Sequence, residues 1–117
     1  MKIDFNEIEE IKITHMNNGD EETVAKMEVN EIGRVIETRI PPGSSIGLHK
    51  QESNNDINYI IEGQGETICD DEKEILKPGV VHVCPKNSSH SIINTEDKDL
   101  VFFYNCSKII FNINNVR

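Results

Sequence analysis

No tryptophan occurs in this 117-residue chain, and aromatic residues make up only 5% of it. Proteins that hold single-stranded nucleic acid without sequence preference stack the bases on aromatic side chains, so that mode is excluded. Positive charge is also scarce and scattered. Twelve Lys and Arg face 21 Asp and Glu, giving a net charge of −9, and no basic cluster stands out. Phosphate backbones and anionic membrane surfaces both require concentrated positive charge, so neither nucleic acid nor a membrane is expected as a partner. Long hydrophobic runs are missing too. The longest, such as Val80–Val81 and Leu100 to Tyr104, have the length of strands and are far too short to span a bilayer. Residues 1–20 carry acidic and polar groups throughout and lack the basic and apolar regions of a secretory leader. Three cysteines, Cys69, Cys84 and Cys106, contain no Cys-x-x-Cys pair and cannot all be joined within one chain. That usage suits a reducing cytoplasm, the expected location, with each thiol a small buried hydrophobe.

What the sequence does have is frequent punctuation. Turn signals recur at Asn17-Asn18-Gly19-Asp20, Pro41-Pro42-Gly43, Ser53 to Asp56, Gly63-Gln64-Gly65, Asp70-Asp71-Glu72, Lys77-Pro78-Gly79, Pro85-Lys86-Asn87 and Thr95 to Asp99. Between them lie short β-rich runs at Val35–Ile40, Ile57–Ile61, Glu66–Cys69, Val80–Cys84, Ser91–Asn94 and Leu100–Asn105. Short strands at such intervals, without helical periods between them, predict an all-β sandwich or barrel. The chain is long enough for one hydrophobic core and no more, so a single domain is expected. Its first stretch fits extended structure with at most one helical turn around Asn6–Glu10, and residues 109–113 read as a last strand before a frayed tail.

Two segments carry a recognisable pattern. The first runs Gly43, five residues, His49-Lys50-Gln51, four residues, Asp56, six residues, Gly63. The second runs Gly79, five residues, Pro85-Lys86-Asn87, two residues, His90, three residues, Asn94. In spacing and order they resemble the paired signature motifs of the cupin superfamily. The resemblance implies a single cupin-type double-stranded β-helix, a jelly-roll barrel, over residues 35–108. Residues 1–34 would then be N-terminal extension strands, and residues 109–117 a C-terminal strand and tail.

The physical logic of the motifs can be stated without the family. On a strand, His49 and Gln51 at i and i+2 point to one face, about 7 Å apart. Asn87 is one of the few residue types that tolerates positive φ, so its turn can aim His90 from a distant strand at the same interior point. Two imidazoles, an amide oxygen and a carboxylate converging in a barrel mouth form a plausible set of ligands for a divalent cation. The metal-binding branch of the family supplies three histidines and a glutamate. Here Gln51 replaces the second histidine and Asp56 the glutamate, which predicts weaker binding and a preference for Mn, Fe or Ni over Zn.

Other residues are expected around the pocket rather than on the metal: His82, Asn58, Phe102 and Tyr104. For His82 two cues disagree. The alternation of Val81 and Val83 turns those valines inward and His82 outward, whereas the family pattern places His82 and Cys84 inward. The charged run Asp70 to Glu74 reads as a solvated hairpin tip. The large side chains Tyr59, Ile61, Phe102, Phe103 and Tyr104 are core or interface candidates first. The expected function is a small metal-binding cupin acting on a small polar molecule, a carboxylate, hydroxyl or carbonyl compound. Its rival is a non-catalytic small-molecule-binding or sensory module with a degenerate metal site. Whether the chain is an enzyme is left open. Apolar residues on both faces of Tyr59-Ile60-Ile61 need cover, which predicts a homodimer.

Overall fold

Ten short strands build the described part of the molecule, and three of them, Asp56–Glu62, Val81–Cys84 and Ser89–Asn94, alternate buried with more exposed side chains along their length. The computed structural model describes residues 1–31 and 33–107; the strand expected over 109–113 and the tail lie outside the described residues. The strands are β1 (Ile11–Thr14), β2 (Glu22–Val29), β3 (Gly33–Ile40), β4 (Ser45–Lys50), β5 (Asp56–Glu62), β6 (Gly65–Cys69), β7 (Glu72–Leu76), β8 (Val81–Cys84), β9 (Ser89–Asn94) and β10 (Leu100–Ser107). They form a six-stranded sheet in the order β1-β2-β3-β10-β5-β8 and a four-stranded sheet in the order β4-β9-β6-β7. Every pairing is antiparallel. This is the all-β double-stranded β-helix that the motifs implied, with β1 and β2 flanking the barrel at the edge of the larger sheet. A single 3-10 turn at Phe5–Glu7, capped by the Asp4 side chain, precedes β1. Among the described residues no helix is long and apolar enough to cross a membrane.

The interior is divided. Ile40, Ile46, Ile60, Leu76, Ile92, Leu100 and Phe102 pack together as the apolar core. Beyond it the inward positions turn polar. Along β5, Asp56, Asn58 and Ile60 are buried while Ile57, Tyr59 and Ile61 are exposed, so the apolar residues of half the strand face outward. On β8 the inward pair is His82 and Cys84, and Val81 and Val83 are exposed. The valine cue therefore fails for this strand, because its hydrophobic side is the outer one.

Two local devices set the register. In β4 the ladder runs Ser45 to Ile93 and Ile46 to Ile92, then resumes with His49 opposite His90. Gly47 and Leu48 together oppose Ser91, a bulge that lets both Ile46 and His49 face the interior. The bulge is held from outside by residues 17–19. A Cβ on Gly47 would collide with the Asn17 carbonyl, and one on Gly19 with the Ser45 carbonyl. The second device is Asn94, which ends the second motif. Its amide donates to the carbonyls of Ile40 and Lys98 at 2.8 and 2.7 Å, and its oxygen accepts from the Glu96 N–H. This motif asparagine organises a loop and takes no part in the cation-facing cluster.

One sequence expectation is corrected here. The charged run after Cys69 is a turn only at Asp70-Asp71, both at positive φ. From Glu72 it continues as β7, paired residue for residue with β6. Charged side chains tolerate this exposed edge strand, where they also discourage further pairing.

Gly47→Ala is expected to cost about 2 kcal/mol, because the collision is with backbone and cannot be relieved by a rotamer change. Leu48→Ala, at a side chain that is 68% exposed, is expected to stay within about 0.5 kcal/mol. Urea midpoints of the two variants against the parent check both.

Candidate metal centre

Three elements deliver the polar cluster. His49 comes from β4 just past the bulge, His90 lies opposite it on β9, and Asp56 opens β5 in the other sheet. Gln51 follows β4 and is pinned by its backbone to the turn before β9. Its N–H donates to the Ser88 carbonyl at 2.9 Å, and its carbonyl accepts from the Asn87 N–H. Asn87 has φ of 74°, the left-handed conformation that asparagine accepts at low cost.

Within the cluster, His90 Nε2 lies 2.9 Å from Asp56 Oδ2 and 3.1 Å from His49 Nε2. One ligand atom from each of His49, Asp56 and His90 lies within 4.8 Å of the others. Adjacent ligands bound about 2.1 Å from a cation at right angles sit ~3.0 Å apart, so these spacings match a metal's coordination shell. His90 is fully buried and Asp56 is 4% exposed.

Proton bookkeeping supports the fit. His49 Nδ1 lies 2.8 Å from the Gly47 carbonyl, an obligatory acceptor, so Nδ1 carries the hydrogen and Nε2 presents a lone pair. Asp56 Oδ2 contributes another, and Asp56 Oδ1 is buried with no hydrogen-bond partner among the described residues. A buried carboxylate beside imidazole lone pairs calls for a cation or donors. The His49, Asp56 and His90 set could coordinate a divalent metal on these grounds. Gln51 behaves differently from the sequence expectation of an oxygen ligand. Its Nε2 faces the cluster, donating to Asp56 Oδ2 at 3.0 Å and lying 3.3 Å from His90 Nε2. Ligation by Gln51 would require its amide to turn over and present Oε1.

The cluster opens on a cavity of about 150 Å³, whose wall also includes Asn58, Phe102 and Tyr104. That volume is of the order that accommodates a benzene-sized molecule. Asn58 is 2% exposed, and its Nδ2 has no hydrogen-bond partner among the described residues. His82 does not belong to the cavity wall, contrary to expectation. It lies behind His90, where its Nε2 is 2.9 Å from His90 Nδ1, because β8 sits at the sheet edge beyond β5. Its other nitrogen, Nδ1, is 3.0 Å from Glu74 Oε1. Burial pushes the His82 imidazole below its ordinary value and charge on His90 adds to this, with Glu74 and Asp56 opposing. Glu74 escaped the sequence reading because nothing in the run Asp70 to Glu74 distinguishes the one carboxylate that folds back. Strand alternation along β7 was the available signal.

The remaining titratable pair is Cys69 and Cys84, whose Sγ atoms are 3.8 Å apart. Burial pushes the Cys84 thiol up to about 12, with Cys69 adding to the effect; burial also raises Cys69. Cys84 is therefore protonated throughout the neutral range and inert as a nucleophile. The unfolded chain gives up this proton first, so the stabilising contribution is whole below about pH 9 and is lost as pH rises towards 12. Alkylation at pH 8, followed by peptide mass analysis, is expected to modify Cys84 only after denaturation.

The fold and the site have counterparts among known proteins. Residues 36–105 match the cupin domain. An oxalate-binding protein of Thermotoga maritima is 35% identical over 109 residues, which cover 87% of this chain and 89% of that protein. The crystal structure of a predicted oxalate decarboxylase from Thermotoga maritima superposes with a TM-score of 0.86 at 30% identity, covering 93% of this chain and all of that one. A sugar phosphate isomerase of the cupin superfamily from Silicibacter pomeroyi shares the fold, with a TM-score of 0.77 at 18% identity over 93% of this chain and 76% of that one. With its motifs, barrel and matched domain in agreement, the chain belongs to the cupin family.

Proposed function

We propose that this cupin binds a divalent transition metal through His49, Asp56 and His90, and uses it to hold a small carboxylate in the adjoining cavity. The observation that carries the proposal is the convergence of these three ligand atoms within 4.8 Å at a buried site. A metal held by three protein ligands keeps positions open for a carboxylate, hydroxyl or carbonyl oxygen and polarises it. Two imidazoles and a carboxylate suit Mn, Fe, Ni or Zn, and the preference for Mn, Fe or Ni over Zn is carried by the oxygen that Gln51 would add on turning its amide over. Asn58 supports an acceptor-rich ligand, since its buried Nδ2 has a hydrogen to give and no partner among the described residues. The similar Thermotoga maritima protein is named for oxalate, and a dicarboxylate of that size suits a cavity of about 150 Å³. The reaction, if the ligand is turned over, is left unassigned.

A second reading, a binding or sensory module that works without metal, is favoured by one contact. The Gln51 amide already satisfies Asp56 Oδ2. Thermal melts with oxalate, with and without Mn²⁺, separate the two. The first expects about one equivalent of bound metal and an oxalate-induced rise in Tm that chelator abolishes and that His90→Ala lacks. Equal stabilisation by oxalate in chelator would favour the second.

We also propose that the partner is a second copy of this chain. Ile57, Tyr59 and Ile61 on β5 and Val81 and Val83 on β8 are each 41–51% exposed. The pairs Ile57–Val83 and Tyr59–Val81 lie side by side across the ladder, so the five form one apolar patch at a sheet edge. Light scattering at micromolar concentration is expected to give a dimer mass, and Tyr59→Glu with Val81→Lys a monomer. A monomeric parent protein would end this proposal.

A further inference from the structure

His90 has two nitrogens, and only one faces the cluster. Its Nδ1 points away, into a chain of contacts that ends at the protein surface: His90 Nδ1 to His82 Nε2 at 2.9 Å, then His82 Nδ1 to Glu74 Oε1 at 3.0 Å. Both rings are buried, the His82 side chain being 1% exposed and that of His90 fully covered, while the Glu74 side chain is 54% exposed. The direction of each hydrogen bond follows from the end of the chain. A carboxylate can only accept, so His82 Nδ1 carries the hydrogen. A neutral His82 then has a lone pair at Nε2. Thr67 cannot satisfy that lone pair, because its hydroxyl donates to the Ser91 carbonyl at 2.7 Å and stands 3.5 Å from His82 Nε2. The remaining donor is His90 Nδ1–H. With a cation in the cluster, the His90 Nε2 lone pair then serves it; without one, the two acceptors facing Nε2, Asp56 Oδ2 at 2.9 Å and His49 Nε2 at 3.1 Å, draw a second hydrogen onto the ring.

We propose that Glu74 and His82 are positioning residues for His90: through two hydrogen bonds they hold the hydrogen on its Nδ1 and fix the ring orientation, so that Nε2 is the nitrogen turned to a divalent metal. The proposal rests on the metal-binding function put forward above. Partners of this kind also raise the basicity of a ligating imidazole, and their loss commonly weakens metal affinity ~10–100-fold. A metal ion would displace the second hydrogen, on Nε2, while the Nδ1 hydrogen held by His82 stays in place in both states.

Mn²⁺ binding measured by calorimetry on the whole protein tests this, with His82→Leu, His82→Gln, Glu74→Ala and the parent side by side. His82→Leu removes the acceptor and is expected to weaken binding at least tenfold. His82→Gln, whose amide oxygen can accept from His90 Nδ1–H, is expected to recover most of that loss. Glu74→Ala changes an exposed side chain, so folding is not at issue, and a several-fold loss is expected. A second readout needs no metal. Ring ¹⁵N shifts at pH 8 are expected to show a hydrogen on His90 Nδ1 in the parent and its loss in His82→Leu, where Nδ1 has lost its acceptor. If the parent binds no divalent metal, the metal-binding function fails while the tautomer measurement still decides the positioning. No hydrogen on His90 Nδ1 in the parent, or His82→Leu and Glu74→Ala both binding as tightly as the parent, would overturn the inference.

Discussion

Asp56 brings a carboxylate, 4% exposed, into the interior of a chain that already carries a net charge of −9. Removing such a group from water costs several kcal/mol unless a charge or a full set of donors meets it. The surroundings are built around that demand. Two strands of the opposite sheet bring imidazole nitrogens to Asp56, and the Gln51 amide approaches from the end of β4. One carboxylate oxygen still has no partner. A core assembled for stability alone would not keep these groups together. Their cost is carried by the other part of the barrel, where seven apolar side chains, Ile40, Ile60 and Leu100 among them, pack together.

This division explains why the outer surface is unusually apolar. On β5 and β8 the inward positions are given to Asp56, Asn58, His82 and Cys84, which leaves Ile57, Tyr59, Val81 and Val83 outside. The usual relation between hydrophobicity and burial is reversed along these two strands. The reversal marks the strands that line or back the site, and it places an apolar stretch of surface behind a polar stretch of the interior.

Much of the fold was legible because motif spacing is a statement about turns, and turns declare themselves through Gly, Pro and Asn. Gly43, Gly63, Gly79 and Asn87 all take positive φ. The meeting of His49, Asp56 and His90 was legible for the same reason, since fixed turns fix where strands return. Three features were not. The inward direction of His82 was obscured because Val81 and Val83 mimic a buried pair, and the bland rule that valine goes inside fails on an edge strand. Glu74 was hidden within a charged run whose other members are solvated, and only the third dimension distinguishes the one that meets a buried histidine. Gln51 matched a ligand position by number, yet a side chain with both donors and an acceptor can serve a carboxylate as readily as a cation. Residue type and spacing located it; the hydrogen-bond network gave its orientation.

The bulge at Gly47 and Leu48 works as a frame shift in the reading of β4. Before it, even-numbered residues face the cavity; after it, odd-numbered ones do. Without the extra residue in that frame, Leu48 would look inward and His49 would look at solvent, leaving the cluster one imidazole short. The frame is held by Asn17 and Gly19, whose backbones press against Gly47 and Ser45. A segment thirty residues upstream, touching none of the candidate ligands, thus decides which side chain of β4 the cavity receives. In this barrel the composition of the site is set partly by grammar as well as by vocabulary.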